Sequence, residues 1–285
     1  MQPRIDYPVM GNESHHWQRG VAGRPLPLPL GWRQSRNYAD DGGPRFARHD
    51  AALNGDGSAG TGQLHVATYN VELVKRPEAI LSLLEREPRL GGADILALQE
   101  ADENIVAAAA DRLGAHYVYY PSMLHPLTGR NFGPAILSRW PITEDAKVPL
   151  PGRGWTRGSR RIAVRATIVV RGVRLRIYSV HLSTMWEMFP RGQDAQAQAV
   201  ADDAAASPDP VLIAGDLNRM GAGTVFAGAG YHWLTRGVGR THHVWSFDHV
   251  FLRGFDPGGV RAASVVEALT TSDHRAVWTS IDTHW

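Results

Sequence analysis

Asp273 and His274, in the stretch Thr270-Thr271-Ser272-Asp273-His274-Arg275, stand directly ahead of an apolar alternating run from Ala276 to Ile281. A carboxylate beside an imidazole at the mouth of a strand is what a site needs to hold a metal ion or to orient a histidine for proton transfer. The pair alone is a weak signal, but the same placement recurs. Four earlier apolar runs end in a carboxylate, amide or imidazole: Thr68-Tyr69-Asn70-Val71-Glu72, Ala97-Leu98-Gln99-Glu100, Tyr178-Ser179-Val180-His181 and Ile213-Ala214-Gly215-Asp216-Leu217-Asn218. A fifth, Ser246-Phe247-Asp248-His249-Val250-Phe251, begins with one.

Each of these groups also has an ordinary explanation. Glu100 either solvates a strand end or, following the buried run Ile95 to Leu98, projects from a sheet rim, where a hard divalent cation is bound through such oxygens. Asn70 reads equally as a turn residue. Asp216 and Asn218, two apart on an extended chain, point to the same side, or else they form an Asx turn. His181 and His274 read equally as satisfied core histidines. Coincidence decides between the two sets of explanations. Independent ordinary reasons would have to place every one of these groups at comparable strand ends, and their joint probability is small.

Strand and helix patterns supply the frame. Alternation predicts a strand from Leu64 to Val71, continuous apolar runs predict buried strands from Asp94 to Leu98 and Pro210 to Ala214, and His116 to Tyr120, Ala135 to Ser138, Phe247 to Leu252, Ser264 to Ala268 and Ala276 to Ile281 also read as strands. Arg161 to Val170 and Val173 to Val180 form a hairpin across Arg171-Gly172. Helical spacing covers Pro77 to Arg86, with proline at its start, then Glu103 to Leu113 and Arg191 to Ala205. Strands outnumber helices and hairpins mix with crossovers, which fits an α/β (α+β) sandwich of mixed sheets with helices outside better than a doubly wound parallel sheet.

With 285 residues and 43% hydrophobic content, the chain supports one large core. Two parts are expected: a Gly/Pro-rich extension over residues 1–62 and a domain over residues 63–285. The extension shows no helical or strand period. Pro25-Leu26-Pro27-Leu28-Pro29-Leu30 favours a polyproline path, Asn54 to Gly60 reads as a linker, and Trp17 and Trp32 are costly to leave in water. A net charge of +2 permits an anionic substrate without requiring one. With no cysteine, disulfides, a thiolate nucleophile and thiolate-held zinc are excluded, so any metal takes carboxylate, amide or imidazole ligands. No apolar run approaches the ~20 residues of a membrane span and no signal peptide is recognisable, so a soluble chain is expected, cytoplasmic or secreted after processing.

Taken together, Thr68-Tyr69-Asn70, Leu98-Gln99-Glu100, Ala135-Ile136-Leu137-Ser138-Arg139, Ser179-Val180-His181-Leu182, Ala214-Gly215-Asp216-Leu217-Asn218, Phe247-Asp248-His249-Val250 and Ser272-Asp273-His274-Arg275 resemble the endonuclease/exonuclease/phosphatase superfamily. The ensemble is specific, though no single motif is. The resemblance implies a four-layer sandwich, two mixed β-sheets face to face with helices on both outer faces. It also implies Mg²⁺ or Mn²⁺ held by Glu100, with Asn70 and Asp273 beside it. Asp248 would orient His274 as general base, Asp216 would position the attacking water, and Asn218 would hold a phosphate oxygen. His181 matches a family histidine that donates to the scissile phosphate, and places the chain on the deoxyribonuclease I and neutral sphingomyelinase side of the family. Arg161 resembles a family arginine that reaches a substrate phosphate, with Arg160 as the alternative register. The acidic partner of the first histidine is missing near Arg130-Asn131-Phe132-Gly133, where Asn131 is the substitute on offer.

Two stretches bear on substrate. Residues 153–176 hold eight arginines and no acid, namely Arg153, Arg157, Arg160, Arg161, Arg165, Arg171, Arg174 and Arg176. On the hairpin strands this reads as a solvated face; in the loop before them a phosphate-tracking patch is equally favoured. Met185-Trp186-Glu187-Met188-Phe189-Pro190 is expected to pack under the sheet; its alternatives are a substrate groove, a base-stacking surface or a lipid contact. The expected activity is divalent-metal-dependent phosphodiester hydrolysis by water attack, an endonuclease acting on DNA or RNA. A phospholipid, sphingomyelin or small-molecule phosphoesterase and a non-catalytic binding module are the alternatives. A monomer is expected, with nucleic acid or a lipid surface as partner.

Overall fold

The computed structural model describes residues 35–40, 42–48, 62–155, 157–254 and 260–282. The proline run, Trp17, Trp32 and the linker from Asn54 to Gly60 lie outside them. In chain order the strands are β1 (Arg36–Asn37), β2 (Phe46–Arg48), β3 (Gln63–Asn70), β4 (Ile95–Ala101), β5 (His116–Tyr119), β6 (Met123–Leu124), β7 (Asn131–Ser138), β8 (Ile142–Pro149), β9 (Ile162–Val170), β10 (Val173–His181), β11 (Val211–Asp216), β12 (His232–Trp233), β13 (Asp248–Arg253), β14 (Val260–Val266) and β15 (Ala276–Asp282). The helices are α1 (Pro77–Arg86), α2 (Pro88–Gly91), α3 (Glu103–Leu113), α4 (Pro190–Ala205) and α5 (Gly223–Gly228).

The strands form two mixed sheets. One runs β1-β6-β7-β4-β3-β15-β14, with β5 beside β7 and β2 beside β5; the other runs β12-β13-β11-β10-β9-β8. Only β3/β4 and β10/β11 pair in parallel among the named strand pairs. The two-residue period of each strand explains the layering. Ile162, Val164, Ala166, Ile168 and Val170 of β9, Leu175 and Ile177 of β10, and Leu212 and Ala214 of β11 face the first sheet, where they meet Leu64, Val66, Ile95, Ala97 and Ile136. The alternate residues Tyr178, Val180, Val211, Ile213 and Phe251 face outward onto Ala197, Val200, Ala201 and Ala204 of α4 and Phe226 of α5. Helices α2 and α3 pack on the first sheet, and α1 packs on α2 and α3. The result is an α/β sandwich of two mixed sheets with helices outside, as expected.

Local signals fix several ends. Pro77 opens α1, and Asp102 caps α3 by accepting from Ile105 N at 2.9 Å. Gly114, with φ +58°, closes α3 in the left-handed conformation that glycine tolerates.

Three expectations are corrected. Residues 36–37 and 46–48, within the stretch showing no strand period, pair with β6 and β5. They are so short that no period is visible. Strand β8 went unpredicted because Glu144, Asp145 and Lys147 mask its alternation; it is an edge strand, where such residues discourage pairing with other chains. The β9/β10 face is not solvated, since α4 covers it: Arg165 pairs with Asp203 of α4 at 2.8 Å and Thr167 is buried.

Candidate active site

Strand register builds the second sheet's share of the site. His181 is paired with Asp216, and Asp216 with Asp248, so three adjacent strands deliver three polar groups side by side at their ends. Parallel pairing of β3 with β4 sets Asn70 opposite Gln99 at the facing rim, with Glu100 one residue beyond. His274 enters from the turn before β15. That turn is tied down by Ser272, whose Oγ donates to Asn70 O at 2.7 Å and accepts from His274 N at 3.1 Å, and by Tyr69 Oη against Thr271 Oγ1 at 2.5 Å.

Glu100 reaches the cleft because its strand breaks rule. Ala97 faces the inter-sheet core and Gln99 donates across it to Ser179 Oγ at 3.2 Å, so strict alternation would turn Glu100 toward the helices. Instead, β4 is irregular against β7 between Leu98 and Ala101, and Glu100 has φ +57°. A bulge of this kind re-aims a side chain. Its carboxylate accepts from Asn70 Nδ2 at 3.2 Å and lies 3.8 Å from His181 Nε2.

Asp216 lies at the centre. Its Oδ2 accepts from Asn70 Nδ2 at 3.0 Å and sits 3.6 Å from His181 Nε2 and 3.7 Å from His274 Nε2. Its Oδ1 accepts from Asn218 N at 2.7 Å. The chain is not extended there. It makes an Asx turn with Asn218 at φ +51°, and the Asn218 amide donates to Leu182 O at 2.9 Å. Both residues still flank one cleft, by a turn rather than by strand period.

The charge states follow from these neighbours. Burial works against a charge on His274, but Asp248, whose Oδ2 is 2.8 Å from Nδ1, together with Asp216 and Asp273, outweighs it and raises the pKa to about 10. His274 is therefore an imidazolium at neutral pH. Burial, reinforced by Arg161 and His274, holds His181 well below the usual histidine range, so it is neutral. Arg161 Nη1 lies 3.1 Å from His181 Nδ1 and 3.4 Å from Nε2. Because Nδ1 is the nearer to the guanidinium and Nε2 faces the Glu100 and Asp216 carboxylates, the ring proton is assigned to Nε2. Burial also raises the Glu100 and Asp216 carboxyls, with Asp248 adding to the rise at Asp216.

Arg161, rather than Arg160, is the arginine of the cleft: it is buried against His181, while Arg160 pairs with Asp40. Asn131 does not support His181, because its amide donates to Glu103 Oε2 at 3.0 Å. Phe132 packs on the His181 ring at 5.6 Å instead. An acid from the opposite direction in the chain reaches His181 only through Arg161. Glu187 accepts from Arg161 Nη2 at 2.7 Å and from Ser159 Oγ at 2.7 Å. Burial alone would raise its pKa, but Arg161, Ser159 and the Thr184 amide bring it down to about 2. One signal was available, since Glu187 is the sole acid between Asp145 and Asp194 and faces an arginine-rich stretch.

Five of the eight arginines of that stretch are ion-paired. Arg160, Arg161, Arg165, Arg174 and Arg176 pair with Asp40, Glu187, Asp203, Glu144 and Asp209. The loop carrying Glu187 is not packed under the sheet. Trp186 is 78% and Phe189 70% exposed, and Trp155 meets Phe189 edge-on at 4.4 Å. Only Glu187 and Met188 turn inward.

Oxygen donors at the rim fit a hard cation at Glu100. Its carboxylate is held by one amide and destabilised by burial, a cost that a divalent ion would remove. Asn70 fits less directly. Its NH₂ is turned to Glu100 and Asp216 while Oδ1 accepts from Glu72 N at 3.0 Å, so ligation requires the amide to turn over. Asp273 stands on the His274 side, its Oδ1 4.0 Å from Nε2 and its Oδ2 3.6 Å from His242 Nε2.

Two facing mixed sheets, with a polar centre assembled where their rims meet, define the class of deoxyribonuclease I-like sandwiches. The chain belongs to the endonuclease/exonuclease/phosphatase family, whose model matches residues 67–274. Among solved structures, the chain is similar to D. rerio TDP2 complexed with single-strand DNA product, at 18% identity, 76% of this chain, 98% of that one and a TM-score of 0.61. It is also similar to sphingomyelinase C from Streptomyces griseocarneus (18%, 77% and 99%, TM-score 0.58) and to the endonuclease/exonuclease/phosphatase from Beutenbergia cavernae (21%, 77% and 71%, TM-score 0.59). No curated protein sequence matches significantly. No helix among the described residues is long and apolar enough to cross a membrane.

Proposed function

We propose that the chain is a divalent-metal-dependent phosphodiesterase, a nuclease cleaving DNA or RNA by water attack. The observation that carries this reading is the convergence of Glu100, His181, Asp216, Asp248 and His274 within hydrogen-bond or ion-pair reach of one another.

A phosphodiester resists attack because its oxygens are anionic, so a site must supply positive charge and hydrogen-bond donors together with a base. His181 Nε2–H and the Arg161 guanidinium provide donors on one side. On the other, His274 stands as an imidazolium oriented by Asp248 and neutralises charge on the phosphate. The Asp216 carboxylate, between the two histidines, aligns water and takes its proton. The base role expected for His274 thus passes to Asp216 in this reading, because three carboxylates keep the imidazole charged. The second N–H of the Asn218 amide is available to a phosphate oxygen. Mg²⁺ or Mn²⁺, held by Glu100 with Asn70 and with Asp273 on the His274 side, would supply Lewis-acid stabilisation of the phosphoryl oxygen.

The substrate class is tested directly. Plasmid DNA, single-stranded DNA and RNA, sphingomyelin vesicles and bis(p-nitrophenyl) phosphate are each incubated with Mg²⁺ or with EDTA. Cleavage of nucleic acid abolished by EDTA is expected. The exposed Trp155, Trp186 and Phe189 favour a second reading, a lipid phosphodiesterase, which turnover of sphingomyelin alone would select. Turnover of nothing with any divalent ion would leave a binding module.

A further inference from the structure

A second set of metal-ligating side chains lies beside the proposed catalytic groups and shares only Asp273 with them. His242, His243 and Asp273 each offer one donor atom, and these atoms lie within 4.8 Å of one another. His242 Nε2 is 3.6 Å from Asp273 Oδ2. Bonds of about 2.0–2.1 Å to a tetrahedral ion place ligand atoms roughly 3.4 Å apart, so this pair is already at ligand spacing. His243 is exposed, so its side chain is free of packing that would hold it away from the other two.

Neither the turn nor the His242 ring is loosely held. Thr241 Oγ1 accepts from Phe247 N at 2.8 Å and Asp248 N at 3.1 Å, and Thr241 O accepts from Arg275 N at 2.6 Å. His242 and Trp245 exchange backbone hydrogen bonds of 3.0 and 2.7 Å. The turn is thereby clamped between the start of β13 and the segment bearing Asp273. The His242 ring stacks on Phe247 at 5.6 Å and lies 4.5 Å from the His274 ring. Its Nδ1 is buried without a hydrogen-bond partner. Nothing in the proposed hydrolytic step uses either histidine.

Two imidazoles and one carboxylate form a donor set suited to zinc-class transition metals, whereas the oxygen donors around Glu100 suit Mg²⁺ or Mn²⁺. We propose that His242, His243 and Asp273 form a binding site for a transition-metal cation of the zinc class, distinct from the hard-cation position at Glu100 although Asp273 borders both. Asp273 Oδ1 is 4.0 Å from His274 Nε2, so a bound ion would replace a negative neighbour of His274 with a positive one.

The test is Co²⁺ titration of the full chain in excess Mg²⁺, read by visible absorption without substrate and so independent of the phosphodiesterase reading. Wild type gains d–d bands that Zn²⁺ bleaches. His243→Ala weakens Co²⁺ binding at least about tenfold, the lower end of what disturbing a metal site removes, while Glu100→Gln leaves it unchanged. His243 is exposed, so its variant keeps the fold; His242→Ala, checked by circular dichroism, gives a second reading. Absent bands in wild type, equal affinity in His243→Ala, or loss of the bands in Glu100→Gln would each overturn the proposal.

Discussion

Asp248→Asn isolates the electrostatics of the proposed catalytic centre. The Asp248 carboxylate lies 2.8 Å from His274 Nδ1, and the substitution keeps the shape while deleting the charge. Two unit charges about 4 Å apart at an effective dielectric of about 20 interact by about 4 kcal/mol, or roughly three pKa units. His274 should therefore titrate near 7 in the variant, where wild type titrates at about 10. The stability consequence has a defined sign. A histidine whose folded pKa lies above its ordinary 6.5 contributes stability that is complete below pH 6.5 and is lost as pH rises through about 10. The variant should be less stable by about 3–5 kcal/mol at pH 6, as when one partner of a buried pair is removed, and the deficit should narrow toward pH 10. The assay is an NMR titration of the His274 ring protons, with urea melts at pH 6, 8 and 10. A variant His274 still titrating near 10, or a deficit constant across that range, would refute the reasoning.

Further outcomes follow from the same geometry. Glu100→Gln and His274→Ala should each lower phosphodiester turnover by ~10²–10⁴-fold while leaving circular dichroism unchanged; near-wild-type rates would misplace the centre. A kcat/KM climbing about tenfold per pH unit toward 10 would return the base role to His274. Glu187→Gln should destabilise by about 3 kcal/mol at pH 7 and loosen Arg161. Its depressed pKa makes that contribution complete above 4.5 and lost as pH falls through about 2, so urea melts of wild type and variant should converge at low pH. Gly215→Ala should cost at least about 4 kcal/mol, because φ is +151° there and a Cβ would lie 2.0 Å from Val180 O; a urea midpoint within error of wild type would contradict it.

What the sequence revealed and what it hid divide on physical lines. Helices α1 and α3 were legible to the residue, because each is an amphipathic run bounded by proline or an Asp cap. The two sheets were legible from alternating runs and from short continuous apolar runs of strand length. Convergence of His181, Asp216 and Asp248 was legible because they are strand-end groups and adjacent strands share register. Glu100 was found for an incomplete reason: alternation would have sent it to the helices, and the irregularity that redirects it has no local sequence mark. Asn218 stands beside Asp216 as expected, but through a turn. Glu187 was missed because its partner is paired across the fold, and the arginine run misled because sequence does not show which carboxylates fold over it. The exposed aromatic loop was expected to be buried, since composition alone does not separate a covered hydrophobic loop from a presented one.

The division of the proposed centre between two sheets has a further consequence. Asn70 and Glu100 travel with one sheet, and His181, Asp216 and Asp248 with the other. Catalysis is then a gauge of how the halves seat on each other. A slippage of an ångström, too small to melt a strand, would part donors from acceptors. Mild denaturant or a core truncation between the sheets, such as Ile177→Ala, should silence turnover well before the secondary structure reports any loss.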